Sequence, residues 1–385
     1  MTVRPINHLS CILIIFLICV TVQLPSMAEE EAAAQDEITT ADPVENKPME
    51  FPMAVRAVLR NDAVYTLGRD EDSDFSDILE SRVVLERIAD KWKFYADGRL
   101  YLYYGDAATR QGKYETKLMR TFIRYYSKAG DITLGKTYVN FGNPGLFNPF
   151  EQDKSVILTD LSYDKEGMMA LEYHYALGSL AGWKLYGGAD VQKDDAGEYI
   201  TIYRGGASLW ATISGFDLGA VVMRNDTDRN MVGTYFKGDF IVGINGSWAL
   251  HMDDNPDSPA GEATAGIDYS FFDGHLVLTA LFYYNQRGQE APASYTYSPE
   301  YYFAAPWYCY NNIDFRYDEF FSAGIDMFTN CADGSMIISP SCSVVIANGL
   351  TATLLFTVLT GDGTDEFAPA RYGRFGTLIR IEGKF

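Results

Sequence analysis

GTLIRIEGKF, the stretch from Gly376 to Phe385, decides how this chain folds. In an extended backbone successive side chains point to opposite faces. Thr377, Ile379, Ile381, Gly383 and Phe385 therefore share one face, and Arg380, Glu382 and Lys384 share the other. A strand that is apolar on one side, charged on the other and closed by an aromatic ring suits a wall between hydrocarbon and water.

The same period of two runs through most of the sequence. In KWKFYADGRLYLYY (Lys91–Tyr104), Trp92, Phe94, Ala96, Leu100 and Leu102 alternate with Lys93, Tyr95, Asp97, Arg99, Tyr101 and Tyr103. Met169, Leu171, Tyr173 and Tyr175 oppose Glu172 and His174, and Ala265, Ile267, Tyr269 and Phe271 oppose Thr264, Asp268 and Ser270. Tight turns are expected at Ala89–Asp90, Ala129–Gly130, Ser214–Gly215, Lys237–Gly238, Asp273–Gly274 and Asn348–Gly349. Between them lie long polar loops at 105–114, 139–162, 192–198, 226–230, 252–261, 287–310 and 361–372.

One tight end and one ragged end predict an all-β fold: a transmembrane antiparallel up-and-down β-barrel over residues 51–385. A soluble sandwich would carry loops at both ends. Both termini fall on the tight side, so the strand number is even. The alternation yields about 16 strands, or 18 if Tyr301–Phe315 adds a descending strand and Asn348–Gly349 becomes a periplasmic turn. Either number leaves a lumen wide enough for water. The 27 Tyr, 23 Phe and 5 Trp suit aromatic girdles at two membrane interfaces.

The terminal strand resembles the C-terminal signature of bacterial outer-membrane proteins, in which a final Phe ends an amphipathic strand. The resemblance implies that Phe385, Ile381 and Ile379 are read by the barrel assembly machinery and that the barrel is embedded in outer-membrane lipid. The other end of the chain agrees. Residues 1–28 run from Arg4 through an apolar stretch, Cys11–Leu24, to Pro25 and Ala28, the order of a secretory signal peptide. Residues 29–50 are acidic and alanine-rich with almost no large apolar group, and are read as a disordered periplasmic tail.

A net charge of −21 argues against nucleic acid, whose phosphates need clustered Lys and Arg. Beyond the leader the cysteines are Cys309, Cys331 and Cys342. In an oxidising compartment an odd set suggests one bridge and one free thiol: Cys331–Cys342 across the ADGS segment, or Cys309–Cys331. No CxxC, CxxCH or GxSxG pattern is present, and neither metal, cofactor nor catalytic residue is expected. His174 shares a face with Glu172, which suggests pairing rather than chemistry.

The expected third outer loop follows the strand Asp131–Val139. DITLGKTYVNFGNPGLFNPFEQD resembles a segment of large porin-like families of Gram-negative bacteria, including alginate-export and phosphate-selective types. The matching positions are Gly135, Lys136, Phe141, Gly142, Asn148 and Pro149; the chain departs at Phe150 and Glu151, where such families carry Thr-Asp. Glycines permit a sharp inward bend and prolines stiffen the path, so the loop is expected to fold into the lumen and narrow it. Arg82, Arg99, Arg120 and Arg124 line the wall, because charges on the lipid face are costly near the midplane. Lys117 or Arg120, but not both, fits a strict alternation. Lys136, Phe141, Asn148, Glu151 and Asp153 complete the expected constriction, with Glu151 and Asp153 facing the arginines. The expected function is a porin for small hydrophilic solutes or ions, as monomer or homo-oligomer; the alternative is a structural sheath around an electron-transfer cytochrome.

Overall fold

Alternation at period two becomes strand after strand in the computed structural model. It describes residues 53–67, 73–142, 146–151, 165–193, 199–225, 230–252, 259–296, 303–369 and 375–385. The expected signal peptide, the acidic tail and Asp153 lie outside these residues.

The first strands are long: β1 (Ala54–Leu67), β2 (Ser73–Ala89), β3 (Trp92–Gly105) and β4 (Tyr114–Tyr125), with a short helix α1 (Asp106–Gln111) between the last two. Then come β5 (Asp131–Thr137), β6 (Met168–Ala176), β7 (Ala181–Lys193), β8 (Tyr199–Ile213), β9 (Phe216–Asn225) and β10 (Asn230–Asp239). The ring continues with β11 (Gly243–Met252), β12 (Ala260–Phe271), β13 (Leu276–Asn285), β14 (Trp307–Arg316) and β15 (Phe321–Asn330). It ends with β16 (Met336–Ala347), β17 (Leu350–Thr360) and β18 (Phe375–Lys384). Every strand pairs antiparallel with its sequence neighbours, and β18 pairs with β1, closing an 18-stranded sheet into a barrel. Closure leaves no unpaired edge.

The barrel therefore has 18 strands rather than 16. The strand that decides the count is β14, WYCYNNIDFR. Its inward side carries Tyr308 and Tyr310 and its outward side includes Cys309 and Asn311, so the polarity contrast that marks a strand is weak there. With β14 in place, Asn348–Gly349 joins β16 to β17 at the tight end. One expected turn moves: Lys237–Gly238 lies inside β10, where Lys237 pairs with Asn245 and Asp217, and the chain reverses at 240–242.

Face assignments follow the register. Outward side chains such as Leu100, Leu134, Leu171, Leu209, Ile267 and Ile379 are exposed apolar groups. Ile379, Ile381 and Phe385 point outward, and the Phe385 backbone exchanges hydrogen bonds with Ala57 at 2.8 and 2.9 Å. The register of β3 against β4 slips between Asp97 and Gly98, which pair with Arg120 and Leu118. Met119 is the extra residue of this bulge. A bulge shifts parity by one, so Lys117 and Arg120 both face the lumen. Met119 is not lipid-facing but buried, its carbonyl accepting from the Gly167 N–H at 2.9 Å.

Candidate functional site

The lumen wall from β18 round to β4 is a ladder of matched charges. Asp97, fully buried, is its centre. Arg82 grips it with two nitrogens at 2.8 and 3.1 Å, Arg120 approaches at 3.4 Å and Arg99 at 3.7 Å. Glu80 takes Arg99 at 3.2 Å and Arg60 at 3.3 Å. Arg60 also reaches Glu382 at 2.9 Å, and Arg380 holds Asp62 with two contacts of 2.8 Å. Lower down, Glu86 sits between Arg56 (2.6 Å) and Lys93 (2.5 Å). Burying an ion is costly unless a partner and hydrogen bonds offset its lost hydration, and the strand register supplies partners from adjacent strands.

Arg124 is different. Among the described residues it has no carboxylate partner: its Nε donates to Thr133 Oγ1 at 2.8 Å, and its guanidinium lies 5.6 Å from the Phe122 ring. The far side of the lumen is phenolic, amidic and acidic. There Asp326 accepts from Tyr310 and Asn312 at 2.5 and 2.9 Å. Glu262 accepts from Tyr283 at 2.8 Å and meets His251 Nε2 at 2.8 Å.

Of the expected lining residues, Arg82, Arg99, Arg120 and Arg124 face inward. Lys136 does not. Thr133, Gly135 and Thr137 take the inner face of β5, so Lys136 stands on the outer face with exposed Leu134 and pairs with Glu166 near the rim. Glu151 accepts from the Tyr138 hydroxyl and meets Lys165 at 2.6 Å. Cys309, Cys331 and Cys342 are free thiols. Cys342 pairs with Ala323 near the start of β15, whereas Cys331 follows its end. At about 3.3 Å per residue they lie roughly 25 Å apart, far beyond the 7 Å limit for a bridge. Burial and the nearby Cys309 thiol push the Cys331 thiol up.

The segment after β5 has its own internal scaffold. Asn148 is buried; its side-chain N–H groups donate to Asn140 Oδ1 and the Phe141 carbonyl at 2.8 and 2.7 Å. Its Oδ1 accepts from the Phe150 N–H at 3.1 Å. Gly142, at φ 78°, supplies the left-handed conformation that the bend requires.

Three aromatic rings of this segment contact other parts of the wall. Phe141 packs on Tyr186 of β7 (centroids 5.2 Å), beside Lys184. Phe150 meets Tyr235 of β10 at 6.3 Å and fills the space left by Gly233, where a Cβ would come within 2.7 Å of the ring. Phe147 packs on Tyr283 of β13 (4.9 Å), Phe328 of β15 (5.5 Å) and Phe303 (6.0 Å). In a ring of 18 strands β14 stands opposite β5.

Around Phe147 three outer connections are knotted together, a cluster that sequence patterns did not disclose. Glu366, fully buried, accepts from Ala304 N–H and Asn330 Nδ2, both at 2.9 Å, and from the Tyr308 hydroxyl. Asp333 accepts from the Glu366 N–H and Asn330. Burial pushes the Glu366 carboxyl above its ordinary range and Tyr295 up to about 12. Only the long-range pairing of these loops identifies Glu366, which in sequence is one acid among several in GDGTDEF.

The barrel is similar to solved structures of Gram-negative outer-membrane porins. Acinetobacter baumannii OccAB4 superposes with a TM-score of 0.60 at 8% identity, over 88% of this chain and 100% of that one. Pseudomonas aeruginosa OccK5 (OpdH) gives 0.58 at 10%, covering 86% and 97%. Salmonella typhi OmpF, in complex with daunomycin, gives 0.50 at 11%, covering 86% and 97%. Identities this low establish the outer-membrane porin fold and nothing finer, and they do not single out the alginate-export or phosphate-selective families. Neither the protein-family models nor the curated proteins match the chain.

Proposed function

We propose that this chain is an outer-membrane porin through which small hydrophilic solutes or ions diffuse passively, narrowed by its third outer loop. The observation that carries the reading is Phe147. A segment that starts at β5 and buries a ring against β13 and β15 reaches the far side of the ring of strands, across the mouth or round the inside of the wall. Phe141 and Phe150 contact strands between those points, which supports a path along the inside of the wall. The charged ladder from β18 to β4 supports a hydrated lumen, since ions there are costly without water or partners.

Arg99, Arg120 and Arg124 line the passage, with the loop residues Phe147, Asn148 and Phe150 across from them. Phe385, Ile381 and Ile379 serve as the assembly signal, and the chain inserts in outer-membrane lipid after export. The acidic far wall, around Asp326 and Glu262, faces a wall on which Arg124 has no carboxylate partner among the described residues; anions are favoured beside it. No observation favours the sheath reading, and no catalytic role is assigned. Purified protein in planar bilayers is expected to give single-channel steps at moderate salt. Absence of conductance from folded, heat-modifiable protein would refute the channel.

A further inference from the structure

Where the segment after β5 meets the upper parts of β7 and β8, the wall encloses a cavity of about 250 Å³. That is just below the roughly 300–1,000 Å³ of pockets for drug-sized ligands, and suits a small solute. Register puts two charged residues on its lining. Asp190 shares the inner face of β7 with Tyr186, and Arg204, opposite Gly188, takes the same face of β8.

The other charges of the lining are matched: Lys165 meets Glu151 at 2.6 Å, and Glu166 holds Lys136. Arg204 is not. Its side chain is only 9% exposed, yet among the described residues its Nε has no hydrogen-bond partner. Its ion-pair contact, from Nη1 to Asp190 Oδ2, spans 3.9 Å, wider than the about 2.7–3.2 Å of a hydrogen bond. A buried guanidinium thus presents its planar fork of donors beside a carboxylate it does not grip. The carboxylate has room for a further donor, since its two oxygens carry about four acceptor sites.

That gap selects a ligand. Arg204 and Asp190 sum to zero charge, so a carboxylate is attracted by the first and repelled by the second, and an ammonium the reverse. A hydroxyl accepts and donates at once, and one oxygen within hydrogen-bond reach of both groups closes the gap. Neighbouring hydroxyls on one ring offer two such oxygens, one for Nε and one for Nη1. The remaining wall is apolar, formed by Val139, Met168 and the Tyr186 ring, and can lie against the C–H face of a sugar.

Resting on the channel reading above, we propose that this cavity is a subsite for a neutral sugar, whose hydroxyls bridge Arg204 and Asp190. It lies on the long-loop side of the Phe141–Tyr186 contact, so a sugar is held there before it passes the narrowed part of the lumen.

Saturation-transfer NMR on the detergent-solubilised full chain tests this, with D-glucose and D-glucuronate as probes. Glucose ring protons are expected to receive saturation from the native chain, and several-fold less from Arg204→Met and from Asp190→Asn. Glucuronate is expected to receive less than glucose. A heat-modifiable gel shift shows that each variant keeps its barrel, and the two substitutions approach the site from different strands. No transfer to glucose would overturn the proposal, as would transfer that both variants leave unchanged, the sign of binding elsewhere. Glucuronate transfer stronger than that of glucose would overturn it too, because the site would then be one for carboxylates. The measurement needs no conduction. A protein that binds glucose but shows no current keeps the subsite and loses the channel, whereas one that conducts without binding loses the subsite alone.

Discussion

Phe147→Ala separates the loop anchor from the barrel. The ring is buried between Tyr283, Phe328 and Phe303 at 4.9, 5.5 and 6.0 Å. Truncating a buried Phe to Ala costs about 3–5 kcal/mol, of which each ring pair supplies about 0.5–1.5. The strand ladder does not include Phe147, so the cost falls on the attachment of the loop rather than on barrel closure. At about 1.4 kcal/mol per factor of ten, the detached state gains roughly a hundredfold to several-thousandfold. A state populated at about 0.1% then competes with or displaces the anchored one. In planar bilayers the variant is expected to show larger mean conductance with new flicker between levels, and Phe147→Leu to fall between it and the native chain. Folded, heat-modifiable Phe147→Ala with native conductance and noise would refute the crossing loop.

Three further outcomes follow from the charges. Arg124→Ala is expected to move the reversal potential in a salt gradient towards cations, and more than Arg82→Ala does; equal shifts would contradict the distinction between matched and unmatched cations. Asp97→Asn leaves three arginines around a neutral amide, and breaking a buried pair costs about 3–5 kcal/mol; the midpoint of the heat-modifiable gel shift is expected to drop, and an unchanged midpoint would show the ladder to be slack. Burial raises the Glu366 carboxyl from 4.5, so the folded loop cluster holds its proton more tightly than the opened one. Its stability is complete below 4.5 and declines as pH rises through the raised value. Protease nicking of the outer loops should therefore be slower at pH 4 than at pH 7, and Glu366→Gln should flatten that slope; an identical slope in the variant would remove Glu366 from the cause.

Parity was legible wherever one face was apolar and the other charged. Ile379 and Phe385 point out, and Arg380 and Glu382 point in onto Asp62 and Arg60, as the terminal ten residues dictate. β14 was hard to see because its alternation is interrupted: Trp307, Ile313 and Phe315 face out against Tyr308, Tyr310, Asn312 and Asp314, but Cys309 and Asn311 put a thiol and an amide on the outer face. Lys136 was misplaced because it was taken from a motif instead of from its own strand, where Thr133 and Thr137 already occupied the inner face. A slip of one residue exchanges the faces of a strand. The bulge at Met119 is such a slip and seats Lys117 and Arg120 together, a result that strict alternation forbids.

The pairings between adjacent strands depend on register rather than on any local pattern, and they alter what the basic wall can do. Read along the sequence, Arg82, Arg99 and Arg120 form a row of cations available to a solute. In the barrel Asp97 and Glu80 already hold them. A matched pair presents a dipole, whose field falls off faster than that of a free charge, so most of the ladder offers a solute little net charge. On the proposed channel reading, selectivity would rest on the residual charges, with Arg124 foremost and the acidic far wall around Asp326 as its counterpart. Total charge, −21 for the whole chain, says little about such a passage, because charges more than about 10 Å apart are largely screened at 0.1 M salt. The proposal therefore expects a few positions to set the sign of ion preference, and changing one of them to alter permeation more than removing a matched pair.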